Sequence, residues 1–326
     1  MGFRHDLKRM LWYSQLRHLR KALDKRRPRP SLPPFDLEGQ AAGDRIRAMI
    51  DGPEPCMVSR FGGVEMRVVT NYLGIRAPGR LDQKLRRYLR GQAGPWWWDE
   101  RTAREMIRQA GFFPVDPESL ERFALLFMED SREVDLLGSL AAEEQTMPVQ
   151  RRPCRIPFID LEPYRHADPW SAALAGRRVL VVHPFRRTIE SQYRNRAALF
   201  KDPRVLPAFD LVTFPAVQSV GGVCPDFPDW FAALDWMKAG IAALDFDVAL
   251  IGAGAYGMAL AAFIKRDLER KAVHLGGATQ ILFGIRGRRW DRWPEYSEGL
   301  YNDAWVRPAP EEVPPTADRV EGGCYW

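Results

Sequence analysis

Three groups of residues in this chain have types and spacings that can act on a phosphate. The first is Asp247-Val-Ala-Leu-Ile-Gly-Ala-Gly-Ala-Tyr-Gly257, an apolar strand that runs into a glycine-rich turn. Gly252, Gly254 and Gly257 let backbone N–H groups approach an anion, and the helix that follows, with Tyr256 at its start, points its positive end to the same place. The second is Arg60-Phe61-Gly62-Gly63-Val64-Glu65, which also follows a short apolar run. Arg60 can grip a phosphate bidentately or pair with a surface carboxylate. Glu65 falls in the first turns of the next helix, where it can meet a cation, a sugar hydroxyl or water. The third is His274-Leu-Gly-Gly277, a strand that ends in an imidazole and in the glycine pair Gly276 and Gly277. Thr279 and Gln280 then open a helix, where such residues cap the backbone or bind anions.

The spacing Gly252-x-Gly254-x-x-Gly257 fits the dinucleotide fingerprint, which also requires an acidic residue about 20 positions on to hold a ribose. The next strand, Lys271-Ala-Val-His-Leu-Gly-Gly277, has no carboxylate at its end. No NAD is therefore expected, and an NAD(P)-dependent oxidoreductase ranks below phosphate binding of another kind. The alternative is that these glycines only let a helix pack close to a sheet.

Further candidates lie elsewhere. His183 ends the strongly apolar run Arg178-Val-Leu-Val-Val-His183 and precedes Pro184, which stops the strand at the ligand edge of a sheet. Its imidazole suits a catalytic base, a phosphate donor or a purely structural group. Arg186 heads a run of arginines, with Arg187, Arg194 and Arg196, of which one or two would reach phosphate. Trp96-Trp97-Trp98 sits in a loop-rich stretch. Trp97 and Trp98 offer flat faces for an acceptor sugar, although three adjacent indoles cannot all face one ligand. The block Phe283 to Trp290 and the end Cys324-Tyr-Trp326 either close the site or cover a sheet edge.

The elements that must position these residues can be read from hydrophobic period and punctuation. Strands are expected at Cys56–Arg60, Val134–Ser139, Ile156–Asp160, Arg178–His183, Asp210–Phe214, Asp247–Gly252 and Ala272–Leu275. Helices are expected at Gly39–Ile50, after Phe61-Gly-Gly63 through Leu73, and at Thr188–Leu199, Trp230–Leu244 and Met258–Glu269. Alternation of this kind predicts a Rossmann-like α/β fold with a doubly wound, mostly parallel sheet and ligand at the carboxyl ends of its strands. Residues 81–130 look helical, broken near Gly91 and Gly111, and read as a helical insertion. The expected organisation is a basic helix and Pro-rich linker over 1–38, an α/β domain over 39–285, and an aromatic tail over 286–326 packed on that domain.

Composition narrows the function classes. The chain has 326 residues, 46% of them hydrophobic, and a net charge of +6. Residues 1–30 hold ten Lys or Arg against two Asp, a net of +8, so the remainder is net −2. A basic excess confined to one end argues against nucleic-acid binding by the globular part. Within it Phe3, Leu7, Met10, Leu11, Leu19 and Leu23 recur at near-helical spacing between basic residues. Residues 1–27 therefore suit a peripheral contact with an anionic membrane or a helix packed on its own domain. Cys56, Cys154, Cys224 and Cys324 lie far apart, without zinc-ligand spacing or a disulfide framework. No apolar run reaches the ~18–20 residues of a membrane span. The expected compartment is the cytoplasm, with the inner face of the cell membrane as the place of any peripheral contact.

Taken in order, Arg60 to Glu65, the Asp247-to-Gly257 turn and His274 to Gly277 resemble bacterial glycosyltransferases of the GT-D fold over roughly residues 45–285. The resemblance implies a Rossmann-like enzyme, of hexosyltransferase type, that moves a sugar from a nucleotide-diphosphate donor to a glycan or lipid-linked acceptor in surface polysaccharide synthesis. It implies donor contacts at Arg60, Phe61, Gly62, Gly63, Gly252, Gly254, Tyr256, Gly257, His274, Gly276, Gly277 and Gln280. The family motif is Arg-Phe-Gly-Asp-Gly-Glu, whose two acids handle Mn²⁺ or Mg²⁺ and the diphosphate. Here Gly63 stands at the Asp position and only Glu65 remains. Either another acid supplies the missing ligand or cationic side chains neutralise the leaving group. A non-catalytic nucleotide-binding or scaffold protein derived from such an enzyme is the alternative that Gly63 raises.

Overall fold

The computed structural model describes residues 7–27, 31–147, 152–219, 221–222, 224–319 and 322–326. Phe3 and the rest of residues 1–6, and Pro28 to Pro30 of the linker, lie outside the described residues. In chain order the main elements are α1 (Leu7–Asp24), α2 (Gln40–Asp51), β1 (Met57–Ser59), α3 (Gly63–Arg76), α4 (Leu81–Arg90), α5 (Glu100–Ala110) and α6 (Pro117–Asp130). They continue with β2 (Leu136–Ser139), β3 (Cys154–Pro157), β4 (Arg178–His183), α7 (Arg186–Arg194), β5 (Asp210–Pro215), α8 (Trp230–Ala242), β6 (Val248–Ile251), α9 (Tyr256–Arg266), β7 (Lys271–His274) and α10 (Ala278–Leu282).

The seven strands form one parallel sheet in the order β3-β2-β1-β7-β6-β4-β5. Short apolar strands without polar alternation are what a parallel sheet covered on both faces requires. Successive residues face opposite layers. Met57, Leu180, Val182, Ala249 and Ile251 join the core under α3, α5, α6, α8 and α9, whereas Val58, Val179, Val181, Leu250 and Val273 join the core under α2, α7, α10 and the C-terminal segment. Every strand expected from sequence is present; Arg178–His183 has the expected ends and the other six are shifted by a residue or more. The third starts at Cys154 and stops at Pro157, because proline offers no N–H to extend a ladder and the chain turns into a 3₁₀ helix at Phe158–Leu161. That edge strand is covered on its outer side, where the Asp36 N–H donates to Arg155 O and the Asp36 carboxylate accepts from Arg155 N–H.

Residues 81–130 supply α4, α5 and α6. Met106, Phe112, Leu120, Phe123 and Phe127 bury themselves in the same apolar layer as α3 and α9, so α5 and α6 form part of the main core. Helix ends are set locally. The Asp99 carboxylate caps α5 through Thr102 N–H, and the Asp116 carboxylate caps α6 through Glu118 and Ser119 N–H. Beyond α10, Trp290, Tyr296 and Trp305 bury in the opposite layer, and Ile285 pairs with Val306.

The topology sets the location of any ligand. The loops after β1 and β6 cross to one face of the sheet, into α3 and α9, while those after β4 and β7 cross to the other, into α7 and α10. Neighbouring strands in the order β1-β7-β6-β4 thus send their exits to alternate faces, which opens a crevice at their carboxyl ends.

Candidate functional site

A cavity of about 390 Å³ occupies that crevice. From the sequence-derived candidates it gathers Arg60, Gly63, Glu65, His183, Gly252, Gly254, Tyr256, Gly276, Gly277 and Gln280. Each arrives by a separate local route.

After β1 the chain passes Arg60 and enters α3, whose first turn, Gly63 to Glu65, faces the cavity. The Arg60 Nε is buried with no hydrogen-bond partner. Its guanidinium lies 5.8 Å from the centre of the Phe158 ring, close beside Gly276. A buried guanidinium nitrogen without an acceptor carries a large desolvation cost that an anion would remove. The Glu65 carboxylate folds back over the Cα of Gly62 and is the one acidic side chain among the described residues that line the cavity.

The turn after β6 needs its glycines for two different reasons. Gly254 sits at φ +53°. A Cβ on Gly252 would come within 2.5 Å of the His183 Cδ2 and 2.8 Å of the Gly276 carbonyl oxygen, so the floor of the cavity closes only around glycine. Gly257 serves packing instead. A Cβ there would overlap the His274 ring, and glycine lets α9 lie directly on β7. Tyr256 opens α9 with its ring stacked on Trp230 at 4.7 Å and its hydroxyl 3.0 Å from Ser219 Oγ. Burial raises its phenol above the ordinary range, so it stays neutral.

His183 is 4% exposed. The Phe185 N–H donates to its Nδ1 at 2.9 Å, which leaves the proton of the neutral ring on Nε2. Burial pushes its pKa down to about 3. At neutral pH this imidazole therefore offers a hydrogen-bond donor, and the base role among the sequence expectations does not suit it. His274 is equally buried, and its pKa is also pushed down to about 3, by burial first and by the Arg60 charge second. Its Nδ1 meets Ser59 Oγ at 3.2 Å, and its Nε2 lies against Gly257 without a partner. It stands under α9 and does not line the cavity, because the last residue of β7 points into the core layer.

Other expected residues also lie elsewhere. Phe61 is buried, with its ring 5.6 Å from that of Phe127. Gly62 is buried beneath the Glu65 carboxylate. Arg186 is half-exposed at the start of α7, 3.9 Å from Glu190, and is not among the lining residues. Trp97 is buried and stacks on Tyr13 at 4.3 Å, and Trp98 packs on the rim of the main core. Asn71 on α3 holds this loop down by donating to the carbonyls of Pro95 and Trp97. Trp97 and Trp98 were expected at an acceptor site; neither lines the cavity, and Trp97 instead secures α1 and α4 to the domain.

The cavity has further walls that strand-end motifs could not indicate. Arg67, Gln109, Gln218, Ser219, Arg289, Tyr325 and Trp326 line it. The signal for the last three was the aromatic block near each end of the C-terminal segment, and both of its readings apply: Arg289, Tyr325 and Trp326 line the cavity, while Phe283, Ile285 and Trp290 cover the sheet. Gln280 Nε2 donates to Tyr325 O at 3.1 Å, and the Arg289 guanidinium lies 4.6 Å from the Tyr325 ring centre. Glu312 anchors the same segment: buried, it accepts from Arg187 and Thr188 N–H at the start of α7. The positive end of α7 is thereby satisfied internally, whereas α3 and α9 still direct theirs to the cavity.

Three arginines and one carboxylate line this space, and Arg67 is paired with Glu105 at 2.9 Å. The balance favours an anion. A protein-held divalent cation fits poorly, because Glu65 is a single carboxylate and no group of three metal-ligating side chains occurs among the described residues.

The two buried histidines predict a pH effect. Both have folded pKa values near 3 against an ordinary 6.5, so their contribution is complete above pH 6.5 and is lost as pH falls towards 3. Asp130, buried at the end of α6 and raised to about 7, acts in the opposite sense over pH 4–7. Two histidines outweigh one carboxyl, so the unfolding free energy should fall as the pH is lowered from 6 to 4. Urea titrations at several pH values measure this fall, and it should be smaller in His274→Gln.

No family model matches the chain, and no curated protein matches it in sequence. Among solved structures, the chain is similar to the selenomethionine-substituted structure of a domain of unknown function, DUF1792. The match is at 13% identity and a TM-score of 0.39, over 91% of this chain and 96% of that one. A likeness at that level leaves the function to the chemistry of the site.

Proposed function

We propose that the chain is a glycosyltransferase that takes a sugar from a nucleotide-diphosphate donor and passes it to a glycan or lipid-linked acceptor, in bacterial surface polysaccharide synthesis. The observation that carries this reading is the pairing, in one cavity, of a buried and unpartnered Arg60 Nε with a single carboxylate, Glu65. The first suits a departing diphosphate and the second an attacking hydroxyl. In the transfer, the bond between the anomeric carbon and the diphosphate oxygen breaks, the acceptor oxygen bonds to that carbon, and its proton passes to Glu65. The charge left on the diphosphate falls to Arg60, Arg289, the His183 Nε2–H and the first turn of α9. The faces of Tyr325 and Trp326 suit a base or sugar ring.

With so few acids in the cavity, cationic side chains take the part that Mn²⁺ or Mg²⁺ plays where two acids are present. A thermal-shift and donor-hydrolysis screen across UDP-, GDP-, CDP- and dTDP-sugars tests the reading. One nucleotide diphosphate should stabilise the protein by about 2.7 kcal/mol at a hundred times its Kd. Addition of EDTA should leave both the shift and turnover within about twofold. A panel in which no nucleotide sugar binds or is hydrolysed would sink it.

A further inference from the structure

The helices α1 and α4 form a second, independent surface. Leu16, Tyr88 and Trp97 make a small buried cluster between them, joined by Tyr13, Leu85, Leu89 and Trp96. Arg17 pairs with Asp99, and Arg20 and Arg27 donate to the Tyr88 and Leu89 carbonyls at the end of α4. Those bonds satisfy terminal carbonyls and place cations at the negative end of α4. The pair is thus a pre-formed module held on the domain.

Its composition is unlike the rest of the chain. Residues 7–27 and 80–92 together hold thirteen Lys or Arg against two Asp, a net of +11. The whole chain carries +6, so everything else is net −5. Large apolar side chains stand exposed in the same module: Leu11 at 59%, Leu19 at 47% and Leu81 at 57%, with Trp12 at 38%. Exposed leucines and an indole amid clustered arginines combine the two terms that drive adsorption to an anionic bilayer, burial of apolar groups at the acyl boundary and attraction to the headgroups. A nucleic acid would use the cations but gain nothing from the leucines.

We infer that α1 and α4 together dock the protein on an anionic lipid surface, with Leu11, Trp12 and Leu19 of α1 entering the interface and Arg86 and Arg90, on the side of α4 away from the buried Tyr88, meeting the headgroups. α3 connects this surface to the cavity. Its first turn lines the cavity, and Gly74, about 14 Å further on at 1.5 Å per residue, packs against Pro95 below the tryptophan loop. Docking there would bring the cavity near a membrane-borne molecule, whichever reaction it performs.

Co-sedimentation with vesicles of phosphatidylglycerol and phosphatidylcholine tests this. The full chain should bind phosphatidylglycerol vesicles at low salt at least tenfold more strongly than pure phosphatidylcholine vesicles. Arg86→Glu with Arg90→Glu should lower that partition at least about tenfold. Leu11→Glu with Leu19→Glu should remove the part that survives 0.5 M salt. These side chains are exposed, so far-UV circular dichroism and melting temperature should be unchanged in both variants. Three results would each overturn the inference: no binding to anionic vesicles, binding unaffected by either pair of changes, or a DNA duplex that binds as tightly and competes the vesicles off.

Discussion

Glu65→Gln is expected to lower turnover by about 10²–10⁴-fold while leaving affinity for the nucleotide diphosphate within about threefold. The split follows from the position of the residue. Glu65 is the sole carboxylate among the described residues lining the cavity, and His183, the other side chain in a position to take a proton, is held neutral with its proton on Nε2. Glutamine keeps the shape and the polar contact but cannot accept the acceptor's proton. Arg60→Ala should do the reverse and weaken nucleotide-diphosphate binding first, because its buried Nε has no protein acceptor to lose. Titration calorimetry with the free nucleotide separates the two variants, and steady-state turnover ranks them. If Glu65→Gln turned over as fast as the parent while donor was still consumed, Glu65 would have no part in the chemistry, and a non-catalytic nucleotide-binding protein would become the better account of any binding that remained.

Trp230→Ala should cost about 3–5 kcal/mol of stability and disturb the site as well. The indole is fully buried at the start of α8, in contact with Phe112, Phe123 and Phe231. It also stacks on Tyr256 with the two rings 4° from parallel, so it forms the wall that holds the first residue of α9 against the cavity. Its removal opens a void that the surrounding aromatics cannot fill without shifting, and Tyr256 loses its backing. Urea unfolding should show a lower midpoint at unchanged slope, together with weaker nucleotide binding. A loss below about 1 kcal/mol would mean that α8 repacks freely.

Much of the architecture is local and was legible. Each strand of a doubly covered parallel sheet is a short apolar run between turn residues, so seven strands can be found one at a time. The glycine turn after β6 was equally legible, since a positive φ at Gly254 and a close approach at Gly252 are needs of the local backbone. Strand ends were less so. Whether Val134 or Leu136 starts β2 depends on where Asp135 finds its partner on β1, a bond across 78 residues.

The sequence by itself determined an α/β chain with a glycine-rich turn after a strand, a charged Arg60 at a strand end and a basic excess in its first thirty residues, because composition, period and backbone demands are properties of neighbours in the chain. Tertiary structure alone decided which side chains reach the cavity. It turned His274 inward beneath Gly257, withdrew Trp97 to hold α1, and fixed the proton of His183 on Nε2. It also brought Tyr325 back beside Gly277 and Gln280, and Trp326 onto Phe185 from the far end of the chain. Facing, burial and tautomer are set by contacts between segments distant in sequence, and no local pattern encodes them.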